Sequence, residues 1–447
     1  MLCAALAAVL MAGAVGAVEV NVDFGTVTGP IRPVNGVGQP PHQGMPKNAW
    51  LLGYLKNAGI PYSRLHDVGG WRARGLYVDV PNIFRDFDAD ENDPKNYRFV
   101  FTDALMKHLV DSGIEPFYRL GVTIENFVVD GFPRENTMPP KDFAKWGRIC
   151  EHIIRHYTEG WAGGFRYAVK YWEIWNEPDG TVPERNPMWG GSFEDYIRLY
   201  GVVAPYLKEK FPHLKIGGFA CTGVGDGTGK VPHGETCTLA FLDAVKANGW
   251  PLDFYSFHSY AAPSEALRQI DHADAILTAR GFSREKTERI FNEYQPYCCQ
   301  GLLGSAKQAA GIAAELLGLQ NGPCSVACVY DARCQTGDWS PLFNPFTQRP
   351  HKAYYALLDF NELRKRGNQV KVTHDGPETF HVVAAVKESS AAVMVANDSD
   401  VALPFELKAP GWRVESVRVT DDVRTDENAV ELKTLPPHSF GVVTLQL

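Results

Sequence analysis

Two glutamates are set apart by their surroundings. Glu177 closes the run Tyr171-Trp-Glu-Ile-Trp-Asn-Glu177 and is followed by Pro178. Aromatic and β-branched residues in an unbroken run read as a buried strand, and proline ends it, so Asn176 and Glu177 fall where strand gives way to loop. Glu293 has the same setting at the end of Arg289-Ile-Phe-Asn-Glu293. Two carboxyl groups on strand ends around one pocket can divide a reaction between them. One, held neutral by burial and by its neighbour's charge, donates a proton and recovers it; the other, ionised, attacks an electron-poor carbon or stabilises it.

Other strand ends carry residues able to support such a pair. Arg64 and His66 end Tyr62-Ser-Arg-Leu-His66, and His258 and Tyr260 end Phe254-Tyr-Ser-Phe-His-Ser-Tyr260, next along the chain to the Glu293 strand. Tyr118 and Arg119 end a further strand, and Trp339 and Phe343 lie in a loop where an aromatic platform would sit, with core packing as the alternative. Glu173 lies inside its strand, so it reads as the buried partner of a barrel Arg or Lys.

These residues need a scaffold that gathers strand ends. Short apolar runs at 34–37, 60–66, 116–120, 171–175, 215–219, 254–258, 289–293 and 324–330 alternate with helical stretches. Phe143, Trp146, Cys150, Ile153, Ile154 and Tyr157 recur at helical spacing, which predicts Cys150 as a buried thiol, and Ser192 with Asp195 reads as a helix N-cap pair. Eight strand–helix units in succession predict a (β/α)₈ barrel over 34–369, with the chemistry at the C-terminal ends of its strands. On either side the texture changes to period two, in Val18, Val20, Val22 and Phe24 and again beyond residue 370. Residues 18–33 and 370–447 therefore read as one antiparallel β-sandwich built from both ends of the chain, with a hairpin around Glu388-Ser389-Ser390.

Trp-Asn-Glu-Pro at 175–178 resembles the fourth-strand motif of the clan A glycoside hydrolases. Arg64-Leu65-His66, Asp86-Phe-Asp-Ala-Asp90 with Asp93-Pro94, Ser256-Phe-His-Ser-Tyr260 and Pro350-His-Lys-Ala-Tyr-Tyr355 narrow the resemblance to glycoside hydrolase family 39, the β-xylosidase and α-L-iduronidase group. The resemblance implies that Glu177 is the general acid/base and Glu293 the nucleophile of a retaining double displacement. It also implies that Asn176 holds the sugar 2-hydroxyl and that Arg64 bonds the nucleophile, with His258 or Tyr260 orienting Glu293 or a hydroxyl. An exo-acting, β-xylosidase-like enzyme without cofactor or metal is the expectation. An α-L-arabinosidase, an endo-glycanase and a non-catalytic sugar-binding barrel are the alternatives. Asn292-Glu293-Tyr294 departs from the Thr-Glu or Ser-Glu of the xylosidases, as does strand one, Asn35-Gly-Val-Gly-Gln-Pro-Pro41.

Several classes are disfavoured by composition and spacing. A net charge of -8 with no basic run disfavours nucleic acid as a partner, leaving a carbohydrate substrate; the oligomeric state is open. No His-x-His pair exists for a metal-dependent hydrolase. Asp86, Asp88 and Asp90 mimic a calcium loop, but Glu91 stands where its sharp turn needs glycine. Residues 1–17 are apolar, uncharged and end in small residues, which reads as a signal peptide and predicts a secreted or periplasmic protein; no other stretch is long enough to span a membrane. Setting Cys3 aside leaves eight cysteines, among which the local spacing suggests Cys221 with Cys237. The group Cys324, Cys328 and Cys334 has poor zinc spacing. Asn397-Asp-Ser399 is a formal glycosylation sequon.

Overall fold

The computed structural model describes residues 16–41, 50–66, 68, 78–122, 134–180, 186–229 and 231–447, so nearly all of the stretch 1–17 expected to be a signal peptide lies outside the described residues. Eight parallel strands close a barrel in chain order: β2 Gly36–Gly38, β3 Tyr62–Leu65, β4 Glu115–Leu120, β5 Tyr171–Ile174, β6 Lys215–Cys221, β7 Phe254–Ser259, β8 Glu288–Tyr294 and β9 Val326–Val329. These are the eight expected strands. Their near-continuous apolar character follows from burial on both faces, inward on the barrel axis and outward against the helices. Tyr62, Phe117, Tyr171, Phe254, Ile290 and Val326, one from each of six strands, form a separate apolar cluster within the barrel. Two residues further along, five of these strands present a polar residue, Arg64, Arg119, Glu173, Ser256 and Asn292, and the site begins there.

Capping groups fix where helices start. Asp142 accepts from Lys145 N at the head of the helix Phe143–Thr158, and Ser192 and Asp195 form a reciprocal capping box at Phe193–Lys210. Cys150 is buried on the first of these, as its spacing predicted. Among the described residues no helix is long and apolar enough to cross a membrane.

The rest of the chain forms a nine-stranded sheet. It contains β1 Val18–Pro30, β10 Asn368–His374, β11 Phe380–Lys387, β12 Ser390–Asn397, β13 Leu403–Lys408, β14 Arg413–Thr420, β15 Glu427–Asn428, β16 Thr434–Leu435 and β17 Ser439–Gln446, in the order β15-β14-β17-β12-β11-β10-β1-β13-β16. Both chain ends do meet in it, but the sheet is mixed rather than antiparallel. β1 inserts between β10 and β13, pairing antiparallel with the first and parallel with the second. In β11 and β12 every second residue joins the barrel core, including Val383, Ala385, Ala392, Met394 and Ala396, packed on the helices Ala306–Asn321 and Lys352–Arg366. The residues between them, with Phe405 of β13 and Val417 of β14, share a second core, so the sheet curls until strands near its opposite edges meet.

Arg32, just after β1, ties the two parts together. Its guanidinium donates to the carbonyls of Leu319, Gln320 and Cys324, the orphan acceptors at and beyond a helix C-terminus. Two smaller expectations change. All eight described cysteines are free thiols, and Cys221 donates to Asp179 Oδ2 at 3.3 Å instead of pairing with Cys237. Asn397 is buried with its amide donating to Val401 O and Pro436 O, which leaves the sequon no accessible nitrogen.

Because Met394 fills the seam between sheet and helices, Met394→Ala should destabilise the protein by about 2–5 kcal/mol. Val423→Ala, at a residue 89% exposed, should stay within about 0.5 kcal/mol. Guanidinium unfolding of the two variants checks this, and equal stabilities would contradict the packing of sheet on barrel.

Candidate active site

The fourth and seventh barrel strands each break their regular alternation, and each break aims a glutamate into the mouth. After Ile174 the backbone turns left-handed at Trp175 (φ 70°) and again at Glu177 (φ 47°). The turn is pinned by Trp175 N donating to Leu120 O and Glu177 N donating to Ala220 O. In β8 a bulge intervenes: Phe257 pairs with Phe291, but the next residue, His258, pairs with Glu293. The extra residue, Asn292, lets two successive side chains face inward, where a regular strand would send one outward.

Arg64 is fully buried at the centre. Nε donates to Glu173 Oε2 at 2.8 Å, Nη1 to Glu293 Oε1 at 2.5 Å and Nη2 to Asn176 Oδ1 at 2.5 Å. Glu173 thus takes the supporting place that its position inside the strand implied; its Oε1 also accepts from Ser256 Oγ and Asn292 Nδ2, each at 2.6 Å. Burial alone would weaken the Arg64 cation, but the charges of Glu173 and Glu293 outweigh it and raise its pKa.

Glu293 is held by several groups at once. Tyr260 OH donates to Oε2 at 2.7 Å, and His258 Nδ1 lies 3.5 Å from the same oxygen. His66 Nε2 stands 3.9 Å from Oε1. Burial pushes this carboxyl's pKa up, yet His258, Arg64, His66 and the Tyr260 hydroxyl together pull it below the ordinary glutamate value. Glu177 is shifted the other way. Burial raises its pKa, the charges on Glu293 and Asp179 add to the rise, and the hydrogen bond and charge of His258 only partly oppose it.

His258 stands between the two. Its Nδ1–H donates to Glu177 Oε1 at 2.6 Å, and against the cost of burial both carboxylates raise its pKa. His66 is driven the opposite way, well below the ordinary range, first by burial and then by nearby cations. A neutral His66 can accept the 3.3 Å hydrogen bond from Asn176 Nδ2.

Of the sequence-derived candidates, Glu177, Glu293, Asn176, Arg64, His66, His258 and Tyr260 converge here. Trp339 stands at the rim, 41% exposed, edge-on to Tyr260 and Tyr330. Tyr118 does not join them. It points out of the barrel, stacks on Trp172 and donates to Val78 O, because inward positions in β4 fall to Phe117 and Arg119. Arg119 is inward but engaged with Asp79 and His66 O, and Phe343 is core, packed on Tyr54 and Tyr354.

Two supports went unread in the sequence. Asp179, two residues beyond Glu177, is buried and accepts from Thr222 Oγ1 at 2.7 Å as well as from Cys221, locking the acid-bearing loop to the end of β6. Asp331 after β9 accepts from Arg333 at 2.6 Å and Ser340 at 2.8 Å, and its N–H donates to Trp339 O, so it holds the loop that carries Trp339. Burial, only partly countered by Arg333 and Ser340, pushes its carboxyl up to about 6. The Asp-Ala-Arg spacing at 331–333 was the available signal.

One ligand atom each from Glu177, His258 and Glu293 lies within 4.8 Å of the others, the one grouping with metal-ligand spacing among the described residues. The groups are already committed to one another: Arg64 and Tyr260 occupy both Glu293 oxygens, and His258 Nδ1 engages Glu177. Within a closed parallel barrel, a carboxyl favoured in its neutral form faces one favoured as the anion, which is the arrangement of a barrel glycoside hydrolase.

Comparison with known proteins gives the family. Residues 51–298, more than half of the chain, match the model of glycosyl hydrolases family 39, and the chain belongs to that family. It is 26% identical over 245 residues to a β-xylosidase of Caldicellulosiruptor saccharolyticus, covering 53% of this chain and 44% of that protein. It is 29% identical over 211 residues to a β-xylosidase of Geobacillus stearothermophilus, covering 45% and 38%. The matched stretch thus spans less than half the length of either relative. In three dimensions it resembles a glucosidase from Croceicoccus marinus (TM-score 0.76, 19% identity, 96% of this chain and 99% of that one). It also resembles a family 39 β-xylosidase from Caulobacter crescentus (TM-score 0.70, 18% identity, 96% and 100%). At these identities the likenesses establish the fold.

His258 lowers the pKa of both glutamates, so His258→Asn should raise both. If turnover needs Glu293 ionised and Glu177 protonated, the acidic and alkaline limbs of the kcat/KM profile should both move to higher pH. A profile unchanged in shape and position would contradict the bridging role.

Proposed function

We propose that the protein is a retaining glycosidase that releases terminal β-xylosyl residues from oligosaccharides or polysaccharide fragments. The observation that carries this reading is the placement of His258 Nδ1, 2.6 Å from Glu177 and 3.5 Å from Glu293, between carboxyls biased to opposite protonation states. Carboxylate oxygens within 4.8 Å of each other suit direct attack on the sugar. Retaining enzymes hold their carboxyl groups about 5–5.5 Å apart, and inverting ones leave about 6.5–9.5 Å for a water.

In the first step Glu177 protonates the glycosidic oxygen as that bond breaks, while Glu293 forms an ester to the anomeric carbon. In the second, Glu177, now a carboxylate, takes a proton from water, and the water attacks that carbon and releases Glu293. Each step hands the other its starting protonation state. Arg64 and Tyr260 hold Glu293 in the orientation for attack and stabilise it as the leaving carboxylate. The Asn176 amide, its oxygen taken by Arg64 and one N–H by His66, has a second N–H for the sugar 2-hydroxyl. Trp339 offers an exposed face at the rim for a sugar ring. The activity of both relatives supports xylose as the glycone.

A panel of nitrophenyl β-xyloside, α-L-arabinoside, β-glucoside, β-galactoside and β-glucuronide tests the reading. The β-xyloside should be hydrolysed fastest, and the first-formed sugar should keep its anomeric configuration by NMR. Glu293→Ala should abolish turnover. Glu177→Gln should lose about 10²–10⁴-fold on a poor leaving group, far less for bond cleavage of a dinitrophenyl glycoside, and recover with azide. Inverted product would overturn double displacement, an active Glu293→Ala would overturn the nucleophile, and preference for another sugar would overturn the glycone alone.

A further inference from the structure

The loop that follows the Glu293 strand carries two consecutive cysteines. Cys298 and Cys299 place their sulfurs 3.2 Å apart. Cys299 is exposed and Cys298 half-buried, whereas the other six described cysteines are buried. The loop is fixed at two points. Gln295 Nε2 donates to Asp338 O, the residue before Trp339, and Tyr297 OH donates to Asp398 Oδ2 just beyond β12, each at 2.8 Å. Lys307 lies over the Tyr297 ring. Tyr297 and Cys299 both adopt left-handed backbone, φ 57° and 62°. Neither thiol has a part in the proposed cleavage.

We propose that Cys298 and Cys299 form an oxidisable vicinal dithiol, which a small disulfide such as oxidised glutathione converts to a vicinal disulfide at the rim of the site. A disulfide bond is about 2.05 Å long, so ring closure draws the sulfurs together by only about 1 Å. Cys299, the exposed group, attacks first as its thiolate: its sulfur bonds to one glutathione sulfur, the glutathione disulfide breaks and one glutathione leaves. Burial, reinforced by the adjoining thiol, holds Cys298 protonated until this point. Cys298 then gives up its proton to solvent and attacks the Cys299 sulfur, expelling the second glutathione. Two electrons pass from the protein to the oxidant, which departs as two thiols. The six buried cysteines are shielded from the same reagent.

The test is to incubate the full-length protein with oxidised glutathione, unfold it, count free thiols and measure intact and peptide masses. The expected result is a loss of two thiols and two hydrogens, located in the peptide holding both cysteines and reversed by dithiothreitol. In Cys298→Ser the reaction should stop at one glutathionyl group on Cys299. Cys299→Ser should stay unmodified. Wild type that keeps all its thiols, or that retains a glutathionyl adduct without closing the ring, would overturn the proposal. So would loss of thiols from a peptide holding any of the six buried cysteines.

Discussion

A single buried cation organises the mouth of this barrel. The Arg64 guanidinium, on the second strand, is removed from water and must be paired on every side to remain there. Its three partners come from the fourth and seventh strands, and one of them, Glu173, extends the network to Ser256 on the sixth. The planar fork suits this task, since it delivers donors in fixed, divergent directions; a lysine would offer a compact point charge. The same contacts that satisfy Arg64 orient Asn176 and ionise Glu293. The interactions that hold these strand ends together and those that keep Glu293 ionised are therefore the same.

Around that fixed charge the two glutamates differ because their surroundings differ. Glu293 is enclosed by donors, while Glu177 has one donor and two neighbouring anions. Neither position is available on a regular strand. Left-handed backbone at Trp175 and Glu177 costs on the order of 1–3 kcal/mol per residue and persists because backbone bonds to Leu120 and Ala220 hold it. The bulge at Asn292 achieves the same end in β8 by adding a residue. Both strands that present a glutamate are irregular where they do so, and β6, which receives the Glu177 N–H at Ala220, breaks register between Gly218 and Cys221 as well.

These irregularities also mark how far the sequence could be read. Eight apolar runs of strand length were visible, as were Glu177 and Glu293 at their ends, because burial and chain-breaking are local properties. The direction of a side chain within a fully buried strand was not. In Phe117-Tyr118-Arg119 both faces are buried, so no polar alternation reveals which residues face the axis, and Tyr118 was placed on the wrong side. The bulge was equally hidden, since nothing local requires Asn292 to be unpaired. The thiol of Cys221 was claimed by Asp179, a residue that sequence spacing could not bring near it.

The placement of β1 has a consequence for the order of events during biosynthesis. It sits in the interior of the sheet, with Glu19 N donating to Asp375, 356 residues downstream. β1 therefore finds its neighbours β10 and β13 only after all the barrel strands, which lie between them in the sequence, have been made. Within the barrel every pairing joins strands consecutive in sequence except the closure of β2 on β9, which waits as β1 does. Long-range pairing of this kind is slow because the intervening chain must first be brought together. Until then β1 is an alternating segment with unpaired edges, and the sheet that receives it cannot close before β10 and β13 are in place.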